Sequence, residues 1–107
     1  MYEFLNPDGR GSINMSESLV EVRLVSIPNR LGLHARPAAE FVKLAGRFEA
    51  EVYLRKGDLE VNGKSIMGVL MLAAEQGSEL RIRSEGVDAQ EAVEALADLI
   101  KRGFDEA

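Results

Sequence analysis

The sequence predicts an α+β fold, in which a four-stranded antiparallel sheet carries three helices on one face in the order β-α-β-β-α-β-α. Three observations lead to this prediction. Some short segments alternate apolar and polar residues, other segments place apolar residues at helical spacing, and turn-forming residues separate them. Strands of alternating polarity have one packed and one solvated face, which fits an antiparallel sheet with all its helices on a single side.

The first strand and the first helix flank the loop "SIPNRLG". Val20, Val22 and Leu24 alternate with the residues between them, which predicts a half-buried strand. A helix follows in "RPAAEFVKLAGRF", where Pro37 suits the first turn and Gly46 suits the C′ position. The apolar residues of this segment recur at helical spacing: Ala38, Phe41, Val42 and Ala45.

A β-hairpin is predicted around the dipeptide at 57–58, Gly-Asp. A two-residue turn that begins with glycine pairs Lys56 with Leu59 and Leu54 with Val61. This register places the apolar side chains of both strands on one face of the sheet.

A short helix in "SIMGVLMLAAEQG" follows a possible N-cap at Ser65, and Leu80 with Ile82 in "SELRIRSEG" predicts a fourth strand. Asp88 with Glu91 three residues later is typical of a capping box at the start of a last helix. The helical stripe of that helix consists of Ala92, Val93, Leu96, Leu99 and Ile100.

The 107 residues are expected to form one domain over residues 19–107. Residues 1–18 are rich in Asn, Pro, Asp, Gly and Ser, and we expect them to be a poorly ordered N-terminal extension. Because Met15 opens "MSESLVEVRLV", residues 1–14 are open to two interpretations, an upstream extension or a leader.

Composition excludes several classes of function. A net charge of −5 argues against non-specific binding to nucleic acids or anionic membranes, because both require a basic surface. The chain has no cysteine and one histidine, which excludes disulfides, thiolate catalysis and histidine-rich metal sites. No apolar run approaches the ~18 residues that span a bilayer, and the N-terminus lacks the features of a signal peptide. We therefore expect a cytoplasmic protein with no metal and neither nucleic acid nor membrane as a partner.

The single histidine, His34, lies in "NRLGLHARPAAEF", just before the predicted first helix. It is open to a plain interpretation, as a capping or solvated side chain. It is also open to a chemical one, because the first-turn N–H groups and the helix dipole favour an anion at this end, and Arg36 can bind phosphate oxygens in a fork. Imidazole is a nucleophile near neutral pH, so this combination is typical of a site that holds a phosphoryl group.

The segment "NGKSIMG" is a second candidate site. A phosphate-binding loop of the nucleotide-binding type needs a glycine where the chain has Asp58, so that interpretation is excluded. Ser65 is better interpreted as an N-cap, and the same helix start would accept a phosphate added to its hydroxyl.

The short helix after Ser65 is more apolar than one buried face requires. An inward face of Val69, Leu72 and Ala73 leaves Ile66, Met67 and Leu70 on the outside, where they predict a partner-binding surface. The alternative is that this helix simply lies deep in the protein.

The segments "GLHARPA" and "NGKSIMGV", together with the order of elements, resemble the phosphocarrier protein HPr of the bacterial phosphoenolpyruvate-dependent phosphotransferase system. The resemblance implies the HPr-like open-faced β-sandwich with strand order 1-4-2-3. It implies that His34 takes a phosphoryl group on Nδ1 from phosphorylated enzyme I and passes it to an enzyme II A component, with assistance from Arg36. Such a protein is a carrier that its partner enzymes act on, not an enzyme, and it needs no cofactor.

The same resemblance implies that Ser65 is a target of an HPr kinase/phosphorylase and that Ile66, Met67 and Leu70 contact partners. A monomer is expected. The ending "IKRGFDEA" is similar to the nitrogen-related paralogue of HPr, so sugar transport and a regulatory chain both remain open. A regulatory interaction module that acts mainly through its phosphorylation state is the alternative function. A hydrolase is disfavoured, because the sequence offers no second histidine as a general acid.

Overall fold

The computed structural model describes residues 19–106. The expected extension at residues 1–18 lies outside this range. Seven helices and strands are followed by a 3-10 turn at Gly103–Asp105. The elements are β1 (Val20–Ser26), α1 (Ala35–Ala45), β2 (Glu51–Lys56), β3 (Leu59–Asn62), α2 (Ile66–Met71), β4 (Glu79–Glu85) and α3 (Ala89–Lys101).

The four strands form one antiparallel sheet in the order β1-β4-β2-β3. Both the element order and the strand order implied by the resemblance are confirmed. The hairpin register is confirmed as well, since Lys56 lies opposite Leu59 and Leu54 opposite Val61. Within residues 19–106, no helix is both long and apolar enough to cross a membrane.

The core lies between the sheet and the three helices. Its side chains come from alternate positions of the strands and from the helical stripes, as the fold class predicts. The largest fully buried side chains are Ile27, Phe41, Val52, Leu54, Val69, Leu80, Ile82, Val93, Leu96 and Ile100.

The alternation of β1 implies that Val20, Val22 and Leu24 face the core, and this orientation is wrong. Leu24 is 61% exposed and Val20 is also exposed, whereas Val25 is 5% exposed and belongs to the core. Two alternating rows of residues overlap in this segment: Val20, Val22 and Leu24 belong to one row, and Val25 belongs to the other. Val25 lies opposite the fully buried Leu80 of β4. Because residues opposite each other share a face, the register with β4 turns Val25 inward and places Leu24 on the open side.

Two predicted helix ends also differ. Gly46 ends α1 with φ −66° and ψ −13°, a right-handed conformation that does not need glycine. Asp88 is the N-cap of α3, but its side chain makes no capping bond, so the capping box with Glu91 is wrong. Its carboxylate instead accepts hydrogen bonds from the backbone N–H groups of Glu49 (2.9 Å) and Ala50 (2.8 Å). Asp88 therefore ties the start of α3 to the segment that leads into β2.

Substitution of Gly32 should cost more stability than substitution of Gly57. Both have a positive φ, +69° and +58°, which disfavours alanine by about 1–2 kcal/mol. A Cβ on Gly32 would lie 2.5 Å from the carbonyl oxygen of Ala74, whereas a Cβ on Gly57 would meet nothing within 4 Å. We expect Gly32→Ala to lower the free energy of unfolding by about 1–3 kcal/mol more than Gly57→Ala, measured by urea denaturation. Equal losses would show that the contact at Gly32 is not restrictive.

Replacing Asp88 should destabilise the fold in a pH-dependent manner. Burial alone would raise the pKa of Asp88, but hydrogen bonds from the Glu49 and Ala50 amides, with the nearby charge of Lys64, lower it below its ordinary value. Its contribution is therefore complete above the unfolded pKa of about 3.9 and is lost as pH falls through the folded value.

We expect Asp88→Asn to lower the free energy of unfolding by about 1–3 kcal/mol at pH 7. The two N–H groups bond to different oxygens of Asp88, and in asparagine one of these oxygens is replaced by an NH2 group that cannot accept. The difference from the unsubstituted protein should shrink below pH 4. Asp58→Asn, in the exposed hairpin turn, is the control. A pH-independent difference for Asp88→Asn would contradict the assignment.

Candidate functional site

His34 is the N-cap residue of α1, with the extended backbone conformation φ −79°, ψ −171°. Its carbonyl oxygen accepts the first helical hydrogen bond, from the N–H of Ala38 at 3.0 Å. The imidazole makes no capping hydrogen bond and is 37% exposed. The interpretation of this side chain as a simple cap is therefore wrong, and the ring is available for other contacts.

The imidazole instead contacts the carboxylate of Glu106. Nε2 of His34 lies 3.0 Å from Oε2 of Glu106, although the two residues are 72 positions apart in the chain. A carboxylate only accepts hydrogen bonds, so this contact places a proton on Nε2. Within residues 19–106, Nδ1 has no hydrogen-bond partner.

Asn29 holds Glu106 in place. Its Nδ2 donates to Oε1 of Glu106 at 2.8 Å and to the carbonyl oxygen of Gly32, also at 2.8 Å. Asn29 is 6% exposed, so these bonds are shielded from water. The loop before α1 and the C-terminal turn are thereby joined next to His34.

The C-terminal turn that presents Glu106 has an unusual backbone. Gly103, Phe104 and Asp105 have φ values of 65°, 56° and 60°, all in the left-handed region. Such a conformation is rare for a bulky residue, and here the buried side chain of Phe104 anchors it in the core. Neither Asn29 nor Glu106 was predicted as a site residue. The ending "IKRGFDEA" was the available signal for Glu106, and Asn29 had none.

Arg36 lies in the first turn of α1 and is exposed. Among the described residues, its guanidinium forms no ion pair or hydrogen bond, and none joins it to His34. It lines a cavity of about 340 Å³ together with Arg30, Leu31, Phe104, Asp105 and Glu106. Arg36 and Glu106 therefore line the same cavity, and assistance of a phosphate by Arg36 stays a prediction.

The start of α1 offers unpaired donors, and its role as an anion site stays a prediction. The first-turn N–H groups of a helix have no intrahelical partner, and Pro37 contributes none. No acidic residue lies in this first turn. The amides of Ala35 and Arg36 therefore remain as donors on the side of the helix that follows His34.

Ser65 is the N-cap of α2, as predicted. Its Oγ accepts a hydrogen bond from the N–H of Gly68 at 3.1 Å. The hydroxyl group is only partly buried, so it lies within reach of a modifying enzyme. Phosphorylation of Ser65 stays a prediction.

The outer face of α2 is apolar and exposed. We call Ile66, Met67, Leu70 and Met71 the α2 patch. All four side chains are exposed, with Met67 at 70%. The alternative that this helix lies deep is therefore wrong for its outer face, although a role in partner binding stays a prediction. Met71 was not singled out from the sequence.

The inner face of α2 differs from the prediction at one position. Val69 and Leu72 are buried as expected, but Ala73 is exposed and Ala74 takes its place in the core. The reason is that the helix ends at Met71 and the backbone of Ala73 turns to φ 48°, which breaks the helical spacing.

A groove of about 310 Å³ connects His34 to the α2 patch. Its walls are Leu31, Leu33, Leu70, Ala73, Ala74 and Glu75. A protein that covers the α2 patch would therefore reach the imidazole along one continuous surface. Residues 19–106 contain no group of three or more His, Cys, Asp or Glu residues that could hold a metal ion.

Known proteins match most of the described chain. A family model described as "PTS HPr component phosphorylation site" matches residues 22–102. The phosphocarrier protein HPr of Neisseria meningitidis serogroup A is 48% identical over 82 residues, which cover 77% of this chain and 92% of that protein. The phosphocarrier protein NPr of Proteus mirabilis is 42% identical over 89 residues, which cover 82% of this chain and 99% of that protein.

Solved structures agree. HPr from Thermoanaerobacter tengcongensis superposes with a TM-score of 0.78 at 42% identity, covering 81% of this chain and 98% of that chain. The catabolite repression protein Crh of Bacillus subtilis, described as a swapped dimer, has a TM-score of 0.64 at 44% identity and covers 74% and 91% of the two chains. With the fold, the site and these relatives in agreement, the chain belongs to the HPr family of phosphotransferase-system phosphocarriers.

Proposed function

We propose that this protein accepts a phosphoryl group from phosphorylated enzyme I on Nδ1 of His34 and passes it to an enzyme II A component. It acts in the cytoplasm as a monomer, without turnover or a cofactor of its own. The observation that supports this most directly is the contact between Nε2 of His34 and Glu106. This contact leaves Nδ1 as the nitrogen with an available lone pair.

The proposed transfer step forms one bond and breaks one bond. The Nδ1 lone pair attacks the phosphorus atom, a nitrogen–phosphorus bond forms, and the bond from phosphorus to the donor breaks, so that the donor keeps the electron pair. The proton on Nε2 stays in place. Phosphorylation at Nδ1 then leaves a positively charged ring, which the carboxylate of Glu106 compensates.

The start of α1 and Arg36 support an anionic ligand beside the imidazole. The start of α1 has free amide donors and no acidic side chain in its first turn, while Arg36 lies exposed two residues after His34. The chain as a whole carries a net charge of −5. The net negative charge of the protein disfavours an anion in general. The donors at this helix start therefore favour a phosphoryl group at this one position.

The α2 patch is proposed to contact both enzyme I and the enzyme II A component. It is apolar, continuous with the groove that ends at His34, and rich in methionine, whose flexible side chain adapts to different partners. One surface can then serve donor and acceptor in succession.

Ser65 is proposed as a regulatory phosphorylation site for an HPr kinase/phosphorylase. A phosphate on its Oγ would add about two negative charges at pH 7 directly before Ile66 and Met67. The added charge would have to be desolvated when a partner covers the α2 patch. Phosphorylation would therefore weaken docking without touching His34.

The alternative function is a regulatory interaction module that acts mainly through its phosphorylation state. The similarity to NPr and to Crh supports this alternative, because NPr carries a different name from the HPr relatives and Crh is named for catabolite repression. The two functions differ in which residue matters. A module of this kind loses its effect on a partner when Ser65 is replaced, whereas the carrier loses its function when His34 is replaced.

Incubation with enzyme I and phosphoenolpyruvate should add one phosphoryl group that is labile in acid and stable in base. His34→Ala should abolish this labelling, because the chain has no other imidazole. Ser65→Ala is the matched control and should be labelled normally. Phosphate incorporation is measured by intact-protein mass spectrometry. Labelling that persists in His34→Ala, or steady release of phosphate by the isolated protein, would overturn the proposal.

Glu106→Gln should slow phosphoryl transfer to His34 by about tenfold, which is the effect expected from losing one charge-assisted hydrogen bond. A glutamine side chain can either donate to Nε2 or accept from it, so the preference for the proton on Nε2 should weaken. ¹⁵N chemical shifts of the imidazole report this tautomer, and rapid-quench labelling reports the rate.

Asp105→Asn is the control for Glu106→Gln. Asp105 is the adjacent carboxylate, but it is exposed and pairs with Arg102 rather than with His34. It should leave both readouts unchanged. If Glu106→Gln alters neither the tautomer nor the rate, the contact with Nε2 has no role in the transfer.

A further inference from the structure

The free edge of strand β1 has no role in the function proposed above. β1 ends the sheet, since the strand order is β1-β4-β2-β3, and among the described residues no strand pairs with its outer side. A strand at the edge of a sheet presents a row of unpaired N–H and C=O groups, to which another strand can bind. This edge is therefore a candidate interaction surface.

Alternate residues of β1 direct their backbone groups to the free edge. The carbonyl oxygen of Leu19 accepts a hydrogen bond from the N–H of Gly86, directly after β4, at 3.1 Å. Leu19 and every second residue after it therefore face β4. Because successive residues of a strand direct their backbone groups to opposite sides, the residues between them face outward. The outward-facing backbone groups belong to Val20, Val22 and Leu24.

The side chains of β1 differ between the two faces of the sheet. Val20 and Leu24 are exposed on the open face, and Val22 lies between them. Glu21 and Arg23 lie on the face that carries the helices, and both side chains are partly exposed. Nη1 of Arg23 donates to Oε1 of Glu21 at 3.4 Å and to the carbonyl oxygen of Val22 at 2.9 Å. The second bond agrees with the outward direction of that carbonyl group.

The sequence of β1 is complementary to itself when two copies run antiparallel. If Val22 lies opposite Val22 of the second copy, Glu21 lies opposite Arg23, and Val20 lies opposite Leu24. Opposite residues share a face, so the charge pairs lie on one face and the apolar side chains on the other. The charged residues also occupy the non-hydrogen-bonded positions, where opposite side chains approach most closely. The two neighbouring registers centre on Glu21 or on Arg23, and they place like charges opposite each other.

We propose that two copies of this chain pair antiparallel along β1 and form a symmetric dimer with one continuous sheet. In a two-fold dimer each contact occurs twice, so the pairing of Glu21 with Arg23 is made twice. The dimer forms from two complete monomers, so it is a concentration-dependent state of the monomer in the proposed function. α2 packs against β3, which is the opposite edge of the sheet. The α2 patch therefore stays uncovered in the dimer.

The test exchanges the two charges of β1 and measures the Kd of dimerisation of the full chain by sedimentation equilibrium. The contact is limited to one strand of each copy, so we expect a weak dimer that forms at high protein concentration. Glu21→Arg alone and Arg23→Glu alone should each raise the Kd about tenfold to a hundredfold, because both charge pairs become like-charge pairs. The double variant is again complementary to itself and should recover dimerisation. Asp58→Arg, in the exposed hairpin turn, makes the same charge change as Glu21→Arg and should leave the Kd unchanged.

A mixture of the two single variants tests the register directly. The Glu21→Arg copy carries two positive charges on β1 and the Arg23→Glu copy carries two negative charges, so each complements the other but not itself. We expect the mixture to associate at least tenfold more tightly than either variant alone, and less so at high salt. Arg23 also lies 3.6 Å from Glu94 of α3, so thermal unfolding is measured to check that each variant is folded. In the unsubstituted protein, hydrogen exchange of the Val22 N–H should slow as the concentration rises.

Four results would overturn the inference. The first is an unsubstituted protein that stays monomeric up to about 1 mM. The second is a mixture of variants that associates no more tightly than either variant alone. The third is slow exchange of the Val22 N–H at every concentration, which would show that another segment of the same chain, such as residues 1–18, occupies the edge. The fourth is a dimer that forms only after unfolding and persists on dilution, which would show an exchange of strands between copies.

Discussion

The geometry of the site depends on the buried amide of Asn29. It donates to the carbonyl oxygen of Gly32 and to the carboxylate of Glu106, and that carboxylate contacts His34. Three parts of the chain thus meet through one side chain: the loop before α1, the helix start and the C-terminal turn. Since a carboxylate near a histidine can only accept, this network also selects which ring nitrogen carries the proton. Asn29 thereby influences which ring nitrogen carries the proton, although it makes no hydrogen bond to the imidazole itself.

The other side of the site is held by backbone contacts. The N–H of Leu33 donates to the carbonyl oxygen of Ala74 at 2.9 Å, where the absence of a side chain on Gly32 allows the two segments to approach. Nζ of Lys56 in turn lies 3.2 Å from the carbonyl oxygen of Ala73, and it neutralises the end of α2. The loop that carries His34 is therefore attached to the end of the helix that carries the α2 patch. This attachment explains why the α2 patch and the imidazole lie along one groove.

Local features of the structure could be predicted from the sequence. The hairpin register was predictable because a two-residue turn determines which residues are opposite each other. The cap at Ser65 was predictable because it involves residues only three positions apart. The family motif "GLHARPA" located His34 in the same way. In each of these cases the interacting residues are close in the chain.

The features that were missed depend on contacts between distant residues. The carboxylate of Asp88 bonds to amides 38 and 39 positions earlier, so the local capping-box pattern predicted the wrong partner. The face of β1 is determined by its register with β4, because the segment contains two apolar rows and only the neighbouring strand distinguishes them. Glu106 contacts an imidazole 72 positions away, and no periodicity could indicate that.

In the proposed function, one histidine is sufficient. A turnover enzyme needs a base, an acid and a way to bind and release its substrate, and each needs positioned side chains. Here the contacts among the described residues position only a nucleophile and its proton, while the remaining polar groups at the site, the helix-start amides and Arg36, are left without partners. An unpaired charge at the surface costs little free energy, because water solvates it. A group of another protein can later replace that water. In the proposed function, the groups that complete the reaction come from the protein that docks, and the exposed α2 patch is the surface proposed for that docking.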